Sequence, residues 1–215
     1  MRITRIETQQ HDRERVSIHV DGAFRLGLAA EIAHAAHLRA GVELTEARLA
    51  ELERADRAWQ ARQAALDLLG YRQRSAAELV RRLRRKGFDL DVARETVERL
   101  RGLGMVDDAA FAGAVARDRV RLRPQGARRM REELRAKGVD EDTARAAIAG
   151  ALESEETSEL ELARRAAGKW KPQPGEDPLR ARRRLHGYLM RRGFDGECVR
   201  QVMDEVLGEG EEGVD

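Results

Sequence analysis

A seven-residue pattern, written three times along the chain, restricts the fold more than any other feature of the sequence. Leu83-Arg84-Arg85-Lys86-Gly87-Phe88-Asp89 recurs in degenerate form as Leu134-Arg135-Ala136-Lys137-Gly138-Val139-Asp140 and as Leu189-Met190-Arg191-Arg192-Gly193-Phe194-Asp195. Leu79, Met130 and Leu185 lie eight residues before the glycines, and Ala93/Val97/Leu100, Ala144/Ile148/Ala151 and Val199/Met203/Val206 follow at helical spacing. A cation in the last turn suits the negative end of a helix, and a glycine just beyond it closes that helix in the left-handed conformation. The apolar residue after it folds back, and the Asp caps a second helix. Three such units about fifty residues apart have the spacing of helical repeats, none of which buries its apolar face alone.

Composition supports an array over one large core, since only 4% of residues are aromatic and 37% are charged. The expected fold is mainly α, with three tandem three-helix repeats in an elongated array preceded by a small N-terminal β-hairpin and helix region. In the latter, Val16, Ile18 and Val20 alternate, Asp21-Gly22 supplies a turn, and Phe24, Leu26 and Leu28 resume the alternation, with Ile3 and Ile6 in a further strand. A short helix near Glu31–Ala36 and a longer one from about Thr45 to Gly70 follow. The expected divisions are 1–60 for this region, 61–106, 107–153 and 154–208 for the repeats, and 209–215 for an acidic disordered tail.

Helix boundaries follow from local signals. Ser75/Glu78 and Ser158/Glu161 have capping-box spacing, Asp108 is placed to cap the helix carrying Phe111, Ala114, Val115 and Leu122 inward, and Asp177-Pro178 reads as cap and first helical residue.

Charge is segregated although the formal net charge is only +2. Arg81, Arg82, Arg84, Arg85 and Lys86 crowd the first middle helix, Arg128, Arg129, Arg131, Arg135 and Lys137 the second, and Arg180, Arg182, Arg183, Arg184, Arg191 and Arg192 the third. The helices after the glycines are mixed or acidic, with Asp91, Glu95 and Glu98, then Asp140, Glu141 and Asp142, then Glu197, Asp204 and Glu205. A segmented basic surface suits phosphate or acidic protein surfaces; the plainer alternative is that these charges solvate exposed helix faces.

Chemistry finds little support. One cysteine, Cys198, excludes disulfide and cysteine-based metal sites, and the histidines at 11, 19, 34, 37 and 186 are scattered. Gly102-Leu103-Gly104 lacks a dinucleotide context, and no Walker loop or nucleophile elbow occurs. No cofactor, metal or enzymatic activity is expected. Without a secretory signal or a membrane-length apolar run, the expected location is the cytoplasm, with no membrane partner.

Arg72-Gln73-Arg74-Ser75-Ala76-Ala77-Glu78-Leu79 with Lys86-Gly87, then Asp107-Asp108-Ala109-Ala110-Phe111-Ala112, then Arg123-Pro124-Gln125-Gly126 with Glu133-Leu134 and Lys137-Gly138, resembles the RecX family of bacterial recombination regulators. The resemblance runs from about Ala64 to Leu207, is weakest in the third repeat, and leaves the β-patterned N-terminus outside. It implies a non-enzymatic chain of three-helix units that binds the RecA recombinase along the groove of its filament on single-stranded DNA and limits ATP hydrolysis, strand exchange and coprotease activity. A monomer is expected, and direct contact with single-stranded DNA is left open. Candidate contact residues are Arg81, Arg82, Arg85 and Lys86; Arg117, Arg128, Arg129, Arg131, Arg135 and Lys137; and Arg183, Arg184, Arg191 and Arg192. The scaffold positions are Ser75, Glu78, Leu79, Leu83 and Gly87; Phe111, Gly126, Leu134 and Gly138; and Leu189 and Gly193. The alternative is a stand-alone DNA-binding protein of helix-turn-helix type, which the acidic helix after each turn opposes.

Overall fold

The computed structural model describes residues 1–208, so the tail expected at 209–215 lies outside the described residues. The described residues divide into two compact units, one of Met1–Arg72 with Leu79–Leu103, the other of Gln73–Glu78 with the described residues from Gly104 on.

In the first unit, β1 (Ile3–Thr8), β2 (Arg15–Val20) and β3 (Ala23–Ala29) form an antiparallel sheet in that order. Ile3, Ile18, Leu26 and Leu28 form a core with Leu44, Leu49 and Leu52. Strict alternation puts Phe24 on this face too. A register shift pairs Ile18 with Leu26 but His19 with Phe24, so the extra residue turns Phe24 outward, where it is 61% exposed and edge-on to His19. Helix α1 (Ala30–Ala35) follows the sheet, and α2 (Glu46–Tyr71) runs unbroken through position 60. Thr45 caps α2 by accepting the Arg48 N–H. Buried Asp56 ties α2 to the sheet, accepting from Arg15 Nη2 at 2.8 Å, the Ala29 N–H at 2.7 Å and Gln60 Nε2 at 2.6 Å. Ala61 and Ala65 are wholly buried on α2, which packs against α4 (Leu90–Gly102) and its stripe of Ala93, Val97 and Leu100. Asp89 stands at the N-cap of α4 without a side-chain hydrogen bond.

Helix α3 (Ala76–Arg85) contains the division between units. The second unit contains α5 (Asp108–Arg121), α6 (Ala127–Lys137), α7 (Glu141–Ser154), α8 (Glu159–Gly168), α9 (Pro178–Arg191) and α10 (Gly196–Gly208). One apolar cluster joins Phe111, Met130, Leu134 and Ile148 to Leu162, Leu185, Leu189 and Phe194, so the second and third repeats share a core. Ala112 and Ala116 of α5 and Ala144 and Ala151 of α7 are at most 1% exposed, and such small side chains let the two helices approach closely.

Three departures from the sequence reading lie at or near helix ends. Asp107, rather than Asp108, caps α5, accepting the Ala109 and Ala110 N–H groups at 2.8 and 2.9 Å. Leu122 lies past the last turn of α5 and is 68% exposed instead of facing inward. In α10, Val202 and Met203 fill the core while Val206 is 48% exposed. The box at Ser158/Glu161 forms in both directions, and Asp177 caps α9 with Pro178 in the first turn. Ser75 accepts the Glu78 N–H, while the Glu78 carboxylate binds Arg74.

Candidate partner-binding surface

All three pattern glycines adopt left-handed backbone, at φ +89° for Gly87, +84° for Gly138 and +80° for Gly193. They end α3, α6 and α9, whose Leu79, Leu83, Leu134 and Leu189 are buried. Within the second unit the repeats interlock twice by the same geometry. Ser75 Oγ donates to the carbonyl of Lys137 at the end of α6, at 2.5 Å, and the Ala76 N–H donates to Asp108 Oδ1 at 2.8 Å. One repeat later, the Gly126 N–H donates to the carbonyl of Arg192 at the end of α9, at 2.9 Å, and the Ala127 N–H donates to Glu159 Oε1 at 3.2 Å. Each acid lies 32 residues beyond the N–H it receives and is the first residue of a helix. The approach is so close at Gly126 that a Cβ there would land on the backbone of Gly193 and Phe194.

Several candidate contact residues take part in this framework. Arg128 Nη2 donates to the Met190 carbonyl at 2.7 Å, and Arg192 Nη1 donates to the Pro124 carbonyl at 3.0 Å while lying 4.6 Å over the Tyr188 ring. Lys137 sits 3.9 Å from Glu133 and over Phe111; Arg184 pairs with Glu176 at 2.5 Å and covers Trp170; Arg129 pairs with Glu132 at 3.3 Å. Arg128, Arg192 and Arg184 therefore hold the fold together in addition to any external role. Of the remaining candidates, Arg81 and Arg85 on α3, Lys86 just past its end, Arg135 on α6, Arg183 and Arg191 on α9 and Arg117 on α5 are exposed, and Arg82 and Arg131 are half-buried. Arg131 and Arg135 are four residues apart and share a helix face.

Two arginines that sequence reasoning passed over are structural. Arg119 forms a two-bond fork to Glu133 at 2.8 and 2.6 Å, which holds the Glu133 carboxyl below the usual glutamate range despite the opposing effect of partial burial. Arg57 Nη2 donates to the carbonyl of Gly87, with its guanidinium 4.6 Å over the Phe88 ring. Their partners are 14 and 30 residues away, so no local pattern marks either pair.

Among the described residues, no group of three His, Cys, Asp or Glu side chains is placed to hold a metal ion. Burial, with Glu159, Asp195 and Glu197 nearby, pushes the Cys198 thiol up, the opposite of what a nucleophile needs. No described helix is long and apolar enough to cross a membrane.

Comparison with known proteins extends the resemblance over most of the chain, including the N-terminal region that the motifs had left outside. Residues 1–45 match the domain described as Regulatory protein RecX N-terminal domain, and 61–100, 107–148 and 157–203 match the first, second and third RecX three-helix domains. The regulatory protein RecX of Prosthecochloris aestuarii is 36% identical over 143 residues, covering 66% of this chain and 91% of its own. That of Bacillus subtilis is 29% identical over 210 residues, covering 98% of this chain and 79% of its own. A crystal structure of a regulatory protein RecX superposes with a TM-score of 0.72 at 26% identity, covering 94% of this chain and 98% of that one. The structure of RecX from Lactobacillus salivarius, at 21% identity, shares the fold with a TM-score of 0.60 over 70% of this chain and 97% of its own. Repeats, sheet and relatives agree: the chain belongs to the RecX family of regulatory proteins.

Proposed function

We propose that the chain is a non-enzymatic regulator of the RecA recombinase, binding its filament on single-stranded DNA along the groove and inhibiting its activities. The observation that carries this reading is the recurrence of exposed cations on α3, α6 and α9, repeated helices of a family whose members are named regulatory proteins. A polymer offers the same contact again and again, and a chain of similar units meets several of them at once, so modest contacts add into useful affinity. Preference for one filament state over another then shifts the equilibrium between them, which suffices for inhibition without chemistry. The helix after each glycine turn carries acids at its start, Asp91, Glu141 with Asp142, and Glu197, which disfavours insertion of that helix into a DNA groove.

The test is single-stranded-DNA-dependent ATP hydrolysis by RecA with this protein titrated in. A saturable fall in rate is expected; an unchanged rate at saturating protein rejects the proposal.

A further inference from the structure

At each of the three helix ends closed by the pattern glycines one carbonyl is already held: that of Gly87 by the Arg57 guanidinium, that of Lys137 by Ser75 Oγ, and that of Arg192 by the Gly126 N–H. The opposite kind of surface, the start of a middle helix that receives a neighbour's helix end, is used on α6 and, among the described residues, open on α9. Counted back from the pattern glycines, Arg183, Leu179 and His186 hold the positions of Arg128, Pro124 and Arg131. In α6 this surface is occupied: Arg128 grips the carbonyl of Met190 in the last turn of α9, and Pro124 is buried. In α9 the equivalent Leu179 is 66% exposed and borders a cleft of about 430 Å³ lined with Arg182, Arg183, His186, Arg200, Met203 and one acid, Asp204. Helix α9 starts earlier than α6 relative to its glycine, and the Ala181 N–H is already bonded to the Asp177 carbonyl. Recognition here therefore falls to side chains.

We infer that this cleft binds the carbonyl end of an α-helix on the recombinase, an inference that rests on the function proposed above. Arg183 takes the part that Arg128 plays on Met190, Leu179 supplies the apolar contact, and the surrounding cations match the negative pole of a helix end. Arg182 and Arg200 are held only by exposed pairs, to Asp204 at 3.8 Å and Glu197 at 2.7 Å, which an incoming acceptor can replace at little cost. A second copy of this chain is a poor occupant, because at each of its own pattern-glycine helix ends a carbonyl is already held.

The experiment places the photo-crosslinker p-benzoylphenylalanine at Leu179 of the full chain, adds RecA filaments on single-stranded DNA, and maps the adduct. A recombinase peptide from the last turn of a helix is expected. Adducts to residues 209–215 of this chain, to a second copy, to recombinase outside a helix end, or to nothing overturn the inference. Alongside, Leu179→Asp with Arg183→Glu should weaken filament binding by roughly tenfold or more with unchanged thermal melting. Wild-type affinity in that variant reduces the cleft to the polar cap of a terminal repeat. Failure of the wild-type protein to bind filaments removes the proposed function and this inference together, whereas wild-type binding with an indifferent double variant removes this inference alone.

Discussion

The hydroxyl of Ser75, wholly buried, bridges two helices: it accepts the Glu78 N–H at the start of α3 and donates to the Lys137 carbonyl at the end of α6, 62 residues away. Ser75→Ala removes a cap and takes one part-buried donor from the Lys137 carbonyl. We expect a loss of about 1–3 kcal/mol in urea denaturation of the full chain. A loss within a few tenths of a kcal/mol would show that the hydroxyl holds neither helix.

Two glycines should respond to alanine for different physical reasons. Gly87 has open space around it but a left-handed φ of +89°, so Gly87→Ala should cost about 1–2 kcal/mol from the backbone alone. Gly126 has an ordinary φ of −73°, and its Cβ would strike the backbone of Gly193 and Phe194, which cannot swing aside as a side chain can. Gly126→Ala should therefore cost at least as much, about 2–3 kcal/mol, and should also shift the amide signals around Gly193 in NMR spectra, which Gly87→Ala should not. Equal spectra near Gly193 would mean the close approach is absent.

The fork from Arg119 to Glu133 gives a pH test. Because the Glu133 pKa is lowered in the folded state, first by the Arg119 hydrogen bonds, its contribution is fully present above the unfolded glutamate value and is lost as pH falls through the folded one. Wild type should melt above Glu133→Gln at neutral pH, and the gap should close only below the ordinary glutamate value of about 4.3. A gap that persists unchanged to pH 2 would mean the carboxylate charge is not what the fork uses.

Filament binding should depend on the exposed and half-exposed cations of α6. Arg131→Glu with Arg135→Glu, which leaves the Arg128 bond to Met190 in place, should weaken binding to RecA filaments by roughly tenfold. Arg2, Arg5 and Arg13, all exposed in the N-terminal region, changed together to Glu should leave it near wild type. Raising salt from low to physiological ionic strength should weaken the wild-type complex as well, since exposed charges are screened. Indifference to both the α6 reversal and salt would return these arginines to the role of solvating a helix face.

The repeat, its helices and the left-handed turns were legible because they rest on local rules: periodicity, caps and glycine. What escaped was set by partners distant in sequence. Phe24 follows the alternation of its strand, yet one extra residue in the pairing with β2 reverses its face. Asp108 looks like a cap, yet its neighbour Asp107 takes that place and Asp108 receives the Ala76 N–H from another repeat. Arg128 was read as part of a contact surface on charge alone, and only the placement of α9 shows its guanidinium closing a helix. The cations of α3, α6 and α9 stand out as a set in the sequence, but which of them bond to a neighbour's backbone or carboxylate depends on the placement of other helices.

The paired junctions, each with an acid 32 residues past the amide it receives, have a metrical consequence. With α6 and α9 fastened to each other through backbone groups and buried under one core, the step from the second repeat to the third is a fixed length, like adjacent marks on a ruler. A partner whose contact points come at that same step engages both repeats without bending either, and one whose step differs must forgo one of the two. Under the proposed function, selectivity for a regular polymer resides in spacing as much as in any single side chain.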